Sequence, residues 1–472
     1  MRMSDPGGRC GRPSPVTRLR RFLELAGRAG RWTACCGLLA VGGGAFAVDV
    51  TRAPYIPDSG SIAVRCGRLI DGLADAPARD RLVIVRFGRI ERVTDGGADT
   101  AGLPLLDLSR YTCLPGLIDT HTHLTDRANE TRDLSVYFSR SDDDSLRISR
   151  ANAEITLFAG FTSVRNVGAY VGWSARDLRD RIDAGEIAGP RMQVAGFYLT
   201  VPGGGGDLLI PGFEEDDIPY RVRMGVARGV DEFRRKAMEA VAGGADVIKV
   251  IASGAVLAYG GVPGEPEMTP EEIAAVVEVA REAGLKVTAH AHGARSIKEA
   301  ILAGVDSIEH ASLADDEAIA LAAEHDVAFS MDVYNGDYID TVGRAQGWPE
   351  EFLRKNLETV ETQREAFTKA YRAGVPITYG TDAAVYPHGY NARQFSIMVE
   401  HGMTPMDAIK AATSVAAKYI GWENDVGAIV PGRYGDLVAV DGDPLADVSV
   451  LEDVDVVIKG GLVFKRPHDE RD

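Results

Sequence analysis

Five of the nine histidines in this 472-residue chain fall in three short clusters. His121 and His123 close P-G-L-I-D-T-H-T-H, His290 and His292 lie in T-A-H-A-H-G, and His310 ends S-I-E-H. Each cluster terminates a short apolar run that reads as a buried strand. Two residues apart on a strand, the members of each His-x-His pair share a face. Another such run, D-V-I-K-V-I-A-S-G, carries Lys249, and Y-G-T-D ends on Asp382. Imidazole and carboxylate ligands suit zinc and similar divalent ions. Four histidines, a lysine and an aspartate exceed what one catalytic zinc needs, which points to two metals about 3.5–4 Å apart. His290 and His292 need not both be ligands, and one of them is free to contact substrate.

Lys249 is the awkward member. An unpaired buried ammonium is costly, and an ammonium is a poor ligand. Carboxylation by carbon dioxide would turn Lys249 into a carbamate, with two oxygens and a negative charge able to bridge two cations. Position motivates this hypothesis, because Lys249 is the one basic residue of its strand.

The elements that must hold these groups alternate. Eight strand candidates, at 114–123, 162–168, 191–197, 246–252, 286–292, 307–312, 328–334 and 376–382, are separated in most cases by helical segments. The clearest helix begins at Thr269 as N-cap, with Pro270 at its first position, Glu272 closing a capping box and Gly284 ending it. Eight strand-helix units over roughly 300 residues suggest an α/β fold, a (β/α)8 TIM-like barrel, with catalytic groups at the carboxyl ends of the strands. Short β-like runs at 61–113 and 435–465 would form a small β-sandwich from both chain ends. The expected organisation is a signal peptide at 1–47, a barrel at 114–424, and a β-sandwich shared between 48–113 and 425–472. No dinucleotide fingerprint follows a strand, and Gly203 to Gly206 lacks the lysine and spacing of a phosphate loop, so it reads as a mobile loop.

Residues 1–31 hold eight arginines and two acids, followed by an apolar run ending in Ala45-Phe46-Ala47. Basic region, apolar region and A-x-A site in that order mark a secretory signal peptide and predict export, by a route left open. Without that leader, 44 of the 52 basic and 67 of the 69 acidic side chains remain, a net charge of −23. Such a surface repels nucleic acid and anionic lipid, so neither is expected as a partner. A homo-oligomer is compatible with the composition. Cys66 and Cys113 are the two cysteines left; they are read as buried and inert, although pairing is open to them.

These motifs, with T-S-V-R-N-V-G and the tail P-G-R-Y-G-D-L-V-A-V-D-G-D-P-L, resemble the binuclear amidohydrolase superfamily over essentially the whole mature chain. Within it, V-I-K-V-I-A-S-G-A-V-L and H-A-H-G are similar to Xaa-Pro dipeptidase-like and ochratoxin-hydrolysing amidohydrolases. The resemblance implies that His121 and His123 bind one metal with Asp382 nearby. It also implies that carboxylated Lys249 bridges and that His290 and His310 hold the second metal, zinc being the first candidate. Arg165-Asn166-Val167-Gly168-Ala169 departs from the usual Arg-Asp-Val-Gly-Gly, and Gly203 to Asp207 lacks a histidine often found there. The implied activity is hydrolysis of a small-molecule amide next to a free carboxylate, with Asp382 as proton carrier and with His292 and Tyr334 as candidates to hold the carboxylate. Opening of a cyclic amide or lactone, cleavage of a phosphotriester, and a non-catalytic metal-bearing binding protein are the alternatives.

Overall fold

The structure, a computed structural model, describes residues 60–466; the expected signal peptide lies outside them. In chain order the first strands are β1 (Ile62–Leu69), β2 (Ala78–Arg86), β3 (Arg89–Asp95) and β4 (Leu105–Pro115). The strand-helix region supplies β5 (Leu117–Thr122), β6 (Phe161–Asn166), β7 (Arg191–Val194), β8 (Tyr198–Leu199) and β9 (Val247–Ile251). It continues with β10 (Lys286–Gly293), β11 (Ser307–Leu313), β12 (Ala328–Ser330) and β13 (Ile377–Thr378). β14 (Leu437–Val440), β15 (Val456–Lys459) and β16 (Leu462–Lys465) follow.

The chain ends meet in one seven-stranded sheet of order β16-β15-β14-β4-β1-β2-β3. β4 is its keystone, parallel to β1 and antiparallel to β14. One face packs Val64, Val83, Leu437 and Ile458 into a common apolar cluster. Cys66 on β1 and Cys113 on β4 lie in that cluster and form a disulfide, with Cα atoms 5.9 Å apart. The expectation of two inert thiols is therefore corrected. Its physical reason is topology: β1 skips two strands to pair with β4, which brings together residues 47 apart.

A single residue separates β4 from β5. A Cβ at Gly116 would lie 2.1 Å from Thr162 Oγ1, so glycine alone lets the chain turn here. From β5 to β13 every ladder is parallel, in a sheet of order β5-β6-β7 and another of order β13-β12-β11-β10-β9-β8. The two sheets meet at both margins, where Thr120 N–H donates to Tyr379 O and Asp246 N–H donates to Val194 O, each at 2.8 Å. β9 is buried at all five positions, as strands covered on both faces are. Helices such as 142–158, 229–242, 270–282 and 350–372 occupy the connections. The arrangement is TIM-barrel-like.

Each expected strand coincides with an observed one, and β8 is additional. The helix Pro270–Glu282 carries the expected capping box, Thr269 with Glu272. The glycine loop after β8 is not loose as expected. Gly205 N–H donates to Glu267 Oε2 at 2.8 Å, Gly203 N–H donates to Asp207 Oδ2 at 2.9 Å, and Leu208 and Ile210 are buried beside Leu134 and Tyr137. Among the described residues no helix is long and apolar enough to cross a membrane.

Candidate metal centre

His121 lies within β5 and His123 just past it; Lys249 is central in β9. His290 and His292 are in β10, His310 is in β11, and Asp382 follows β13. The fold brings them together. His121 Nε2 and His123 Nε2 lie 3.3 and 3.0 Å from Asp382 Oδ1. Ring centroids of His290 and His310 are 4.4 Å apart, and those of His121 and His310 are 4.9 Å apart.

A regular pleat would send the adjacent Glu309 and His310 to opposite faces. Both reach the interior, because His310 (φ 71°) and Ala311 (φ 47°) adopt left-handed backbone and break the alternation. Asp382 (φ 54°) does the same beyond β13. Such conformations cost about 1–3 kcal/mol each and gather at functional sites.

The histidines are oriented from behind. His121 Nδ1 is 2.8 Å from Glu309 Oε2, and His310 Nδ1 is 2.9 Å from Asp332 Oδ1. His123 Nδ1 meets Gly168 O at 3.0 Å and Tyr198 Oη at 3.2 Å, while His292 Nδ1 meets Ser312 Oγ at 2.8 Å. With Nδ1 engaged, each of these four rings keeps Nε2 as its remaining nitrogen, the pattern of a supported metal ligand. His290 is reversed, with Nε2 3.4 Å from Gly254 O. Two triads have ligand atoms within 4.8 Å of one another: His121, His310 and Asp382, and His290, His292 and His310. His310 is common to both. This grouping differs from the pairing implied by the resemblance, since it includes His292 and leaves His123 attached through Asp382.

Charge is arranged as tightly. Burial and the neighbouring Lys249 oppose protonation of His121, but Asp382 and Glu309 outweigh them and raise its pKa to about 9. Burial, then His310, pushes His292 down to about 3. Burial disfavours ionised Asp382 and ionised Glu309. His121 and His123 nevertheless hold the first well below the usual carboxylate range, and Arg165 and His121 do so for the second. Lys249 is 1% exposed, its Nζ has no hydrogen-bond partner, and burial lowers its pKa to about 8. The imidazole nitrogens and the Asp382 carboxylate fit divalent cations, whereas the orphaned Lys249 amine fits beside them only once its positive charge is removed.

Several supporting residues were not singled out from sequence. Glu309 is fully buried between His121 and Arg165 Nη2, the latter at 2.7 Å. Asp332 accepts from Gln363 Nε2 and Asn335 Nδ2, and Asn335 also donates to Asp382 Oδ2 at 3.2 Å. Asp119 accepts from Thr381, Asn391 and the His121 N–H, tying β5 to the segment after β13. Adjacency to ligands, in D-T-H and I-E-H, was the available signal for Asp119 and Glu309, whereas Asp332 in M-D-V-Y has no ligand beside it in sequence. Asn166, the departure noted above, accepts from Leu124 N–H and donates to Gly168 O, so it shapes the loop that carries His123.

The cluster forms the floor of a cavity of about 1060 Å³, counted out to its mouth. Tyr137, Tyr170 and Tyr198 line one side, and Val256, Leu257, Ile339 and Val385 bring apolar surface. His292 is part of the lining, whereas Tyr334 is not. The Tyr334 hydroxyl accepts from Arg393 Nη1 at 3.0 Å, and its ring packs edge-on against Tyr386.

The amidohydrolase family profile matches residues 112–463. An ochratoxinase of Aspergillus niger is 33% identical over 374 residues, 75% of this chain and 76% of its own length. A solved Xaa-Pro dipeptidase with methionine bound in its active site is 36% identical with a TM-score of 0.80, covering 86% of this chain and 100% of its own. A prolidase complexed with N-methylphosphonate-L-proline is 29% identical, also with a TM-score of 0.80, over 86% of this chain and 100% of its own. The matched segment contains every residue of the cluster, and this chain belongs to the amidohydrolase family, as a hydrolytic enzyme.

Proposed function

We propose that this chain is a binuclear metal-dependent hydrolase that cleaves an amide bond next to a free carboxylate. Its substrate would be an N-acyl amino acid of the ochratoxin A type or a dipeptide of the Xaa-Pro type. The observation that carries this reading is the set of back-supported imidazoles surrounding Asp382 and the unpartnered Lys249 Nζ. The relatives support the substrate class, since those named act on such compounds.

His121, His123, His290, His310 and Asp382 would hold two divalent cations, zinc foremost, with Lys249 as an N6-carboxylated bridge. Bound divalent cations supply Lewis-acid polarisation and acidify water near neutral pH. Asp382 would take a proton from the water whose oxygen adds to the amide carbonyl carbon, and pass it to the leaving nitrogen as the C–N bond breaks and acid and amine are released, serving as base and acid in turn. Asn335 and the two histidines hold its oxygens for that transfer. His292 faces the same cavity and would orient substrate. In this reading the parallel strands close into an eight-stranded barrel and the seven-stranded sheet folds over as a sandwich. The protein is exported after cleavage near Ala47, in keeping with its disulfide.

The test combines metal analysis with a panel of N-acyl-phenylalanines, Xaa-Pro dipeptides, lactones and a phosphotriester, each with and without chelator. Chelator-sensitive hydrolysis of the first two classes is expected. Turnover of lactones alone, or of none, would overturn the substrate assignment. Lys249→Ala should lower both metal content and activity, with partial recovery in added short carboxylic acids. Full metal occupancy in that variant would refute the bridge.

A further inference from the structure

Recognition of a free carboxylate calls for a cation or a set of donors at the cavity wall. Neither residue singled out from sequence supplies one freely. His292 has its Nδ1 engaged by Ser312 Oγ at 2.8 Å and offers one ring nitrogen, and the Tyr334 hydroxyl is engaged by Arg393 away from the cavity. The wall itself is acidic, with Asp126, Asp332 and Asp382. Its two cations, among the described residues, are Lys249 at the metal cluster and Arg127.

Arginines around this site are otherwise committed. Arg140 pairs with Asp126 and Glu130, Arg165 with Glu309, Arg223 with Asp207 and Glu215, and Arg364 with Asp337 and Glu361. Arg127 is half-buried in the cavity lining, and among the described residues its guanidinium has no ion pair, hydrogen bond or ring contact. A guanidinium keeps its charge at any working pH and offers a planar fork matched to a carboxylate. In a chain with 69 acidic residues, an arginine left without an acid at a cavity wall calls for an explanation.

Its backbone is set. Asp126 and Ala128 on either side are 4% and 5% exposed. Asp126 N–H donates to His123 O at 3.0 Å, Asn152 Nδ2 donates to Asp126 O at 2.9 Å, and Glu130 N–H donates to Arg127 O at 3.0 Å. The segment that carries Arg127 is thus bonded directly to the residue that carries the His123 ring, so the two move as one piece. A binding group fixed to a ligand-bearing strand end is preorganised relative to the reacting bond.

We infer that Arg127 receives the free carboxylate of the substrate and thereby sets the preference for amides of amino acids. This rests on the amide-hydrolase reading above and names the residue that gives it specificity. The carboxylate adds two charge-assisted hydrogen bonds and replaces water around the guanidinium, while an uncharged carboxamide at the same place gains little.

The test uses the metal-loaded enzyme and two variants, Arg127→Met and Arg127→Lys, with metal content verified for each. Calorimetry measures binding of L-phenylalanine and L-proline, and of the corresponding carboxamides. Kinetics use N-acetyl-L-phenylalanine and Ala-Pro. Arg127→Met should weaken binding of the acids about 10–100-fold, the range for a hydrogen bond to a charged group. It should leave the carboxamides within twofold and raise KM more than it lowers kcat, and Arg127→Lys should restore some of the loss. Equal weakening of acids and carboxamides, unchanged acid binding in Arg127→Met, or no acid preference in the unmodified enzyme would each overturn the assignment. Acid binding that depends on Arg127 in an enzyme that hydrolyses neither amide would overturn the amide-hydrolase reading and leave Arg127 as a carboxylate site.

Discussion

The parallel strands and the seven-stranded sheet are built from similar short apolar runs, yet they bury opposite things. Along β5, β6, β9, β10 and β11 the interior holds imidazoles, an amine, a glutamate and an arginine, with left-handed backbone at His310 and Asp382. The sheet from the chain ends buries Val64, Val83, Leu437 and Ile458 and is cross-linked by Cys66–Cys113. One region accepts strain and desolvated charge because chemistry needs converging polar groups. The other carries no candidate ligand and is largely apolar, and its buried amine, Lys459 on β15, donates to Gly189 O where Lys249 has no partner.

Substitutions should respect this division. The largest effect is expected at Asp382. Asp382→Asn removes the proton carrier and should lower kcat about 10²–10⁴-fold while circular dichroism and the melting temperature stay close to those of the parent. An unchanged kcat would sink the proton-carrier role. Arg165→Met should be the costliest change to stability in the site region, because it leaves Glu309 buried beside His121 without its guanidinium. Removing one partner of a buried pair costs about 3–5 kcal/mol. A denaturation midpoint within error of the parent would mean that Glu309 is neutral or reaches another cation.

The sheet supplies the reverse case. Replacing Cys66 and Cys113 together by serine opens a link between residues 47 apart and should cost about 2–4 kcal/mol of stability, with kcat/KM within twofold at a temperature where the protein stays folded. A large loss of kcat/KM there would show that the two regions are coupled and not separable. The smallest effect is expected for Tyr334→Phe, which removes a hydroxyl bonded to Arg393 outside the cavity wall. Turnover within twofold of the parent is anticipated, and a tenfold rise in KM would return Tyr334 to substrate binding.

Much of the frame was readable from residue types. Eight apolar runs spaced by helical segments became β5 to β7 and β9 to β13, and the T-P-E-E helix start held to the residue. The convergence of the histidines, Lys249 and Asp382 was readable because strand ends of such a fold all face one side. What escaped depended on contacts between distant strands. Cys66 and Cys113 pair only because β1 runs beside β4, and nothing in their sequence spacing reveals that neighbour. Period-two alternation would have pointed Glu309 and His310 apart, and a local departure at two residues hid Glu309 as a partner of His121. Arg127 was silent for a different reason: an arginine in a loop looks the same whether or not an acid awaits it.

The keystone position of β4 has a consequence for how the protein comes into being. β4 pairs with β14 through Pro115 and Leu437, Leu114 and Val438, and Cys113 and Ala439. About 320 residues must therefore be synthesised between the two halves of this ladder, roughly 15–65 s at the usual pace of translation. Through that interval one edge of β4, bearing Cys113 and Leu114, has no strand to cover it, which is a template for association with other chains. A chain shortened before Leu437 would retain every candidate ligand yet carry that open edge permanently. Its defect would show as loss of soluble protein, compounded by the loss of Val438, Val440 and Val457 from the core they share with Leu117 and Phe161.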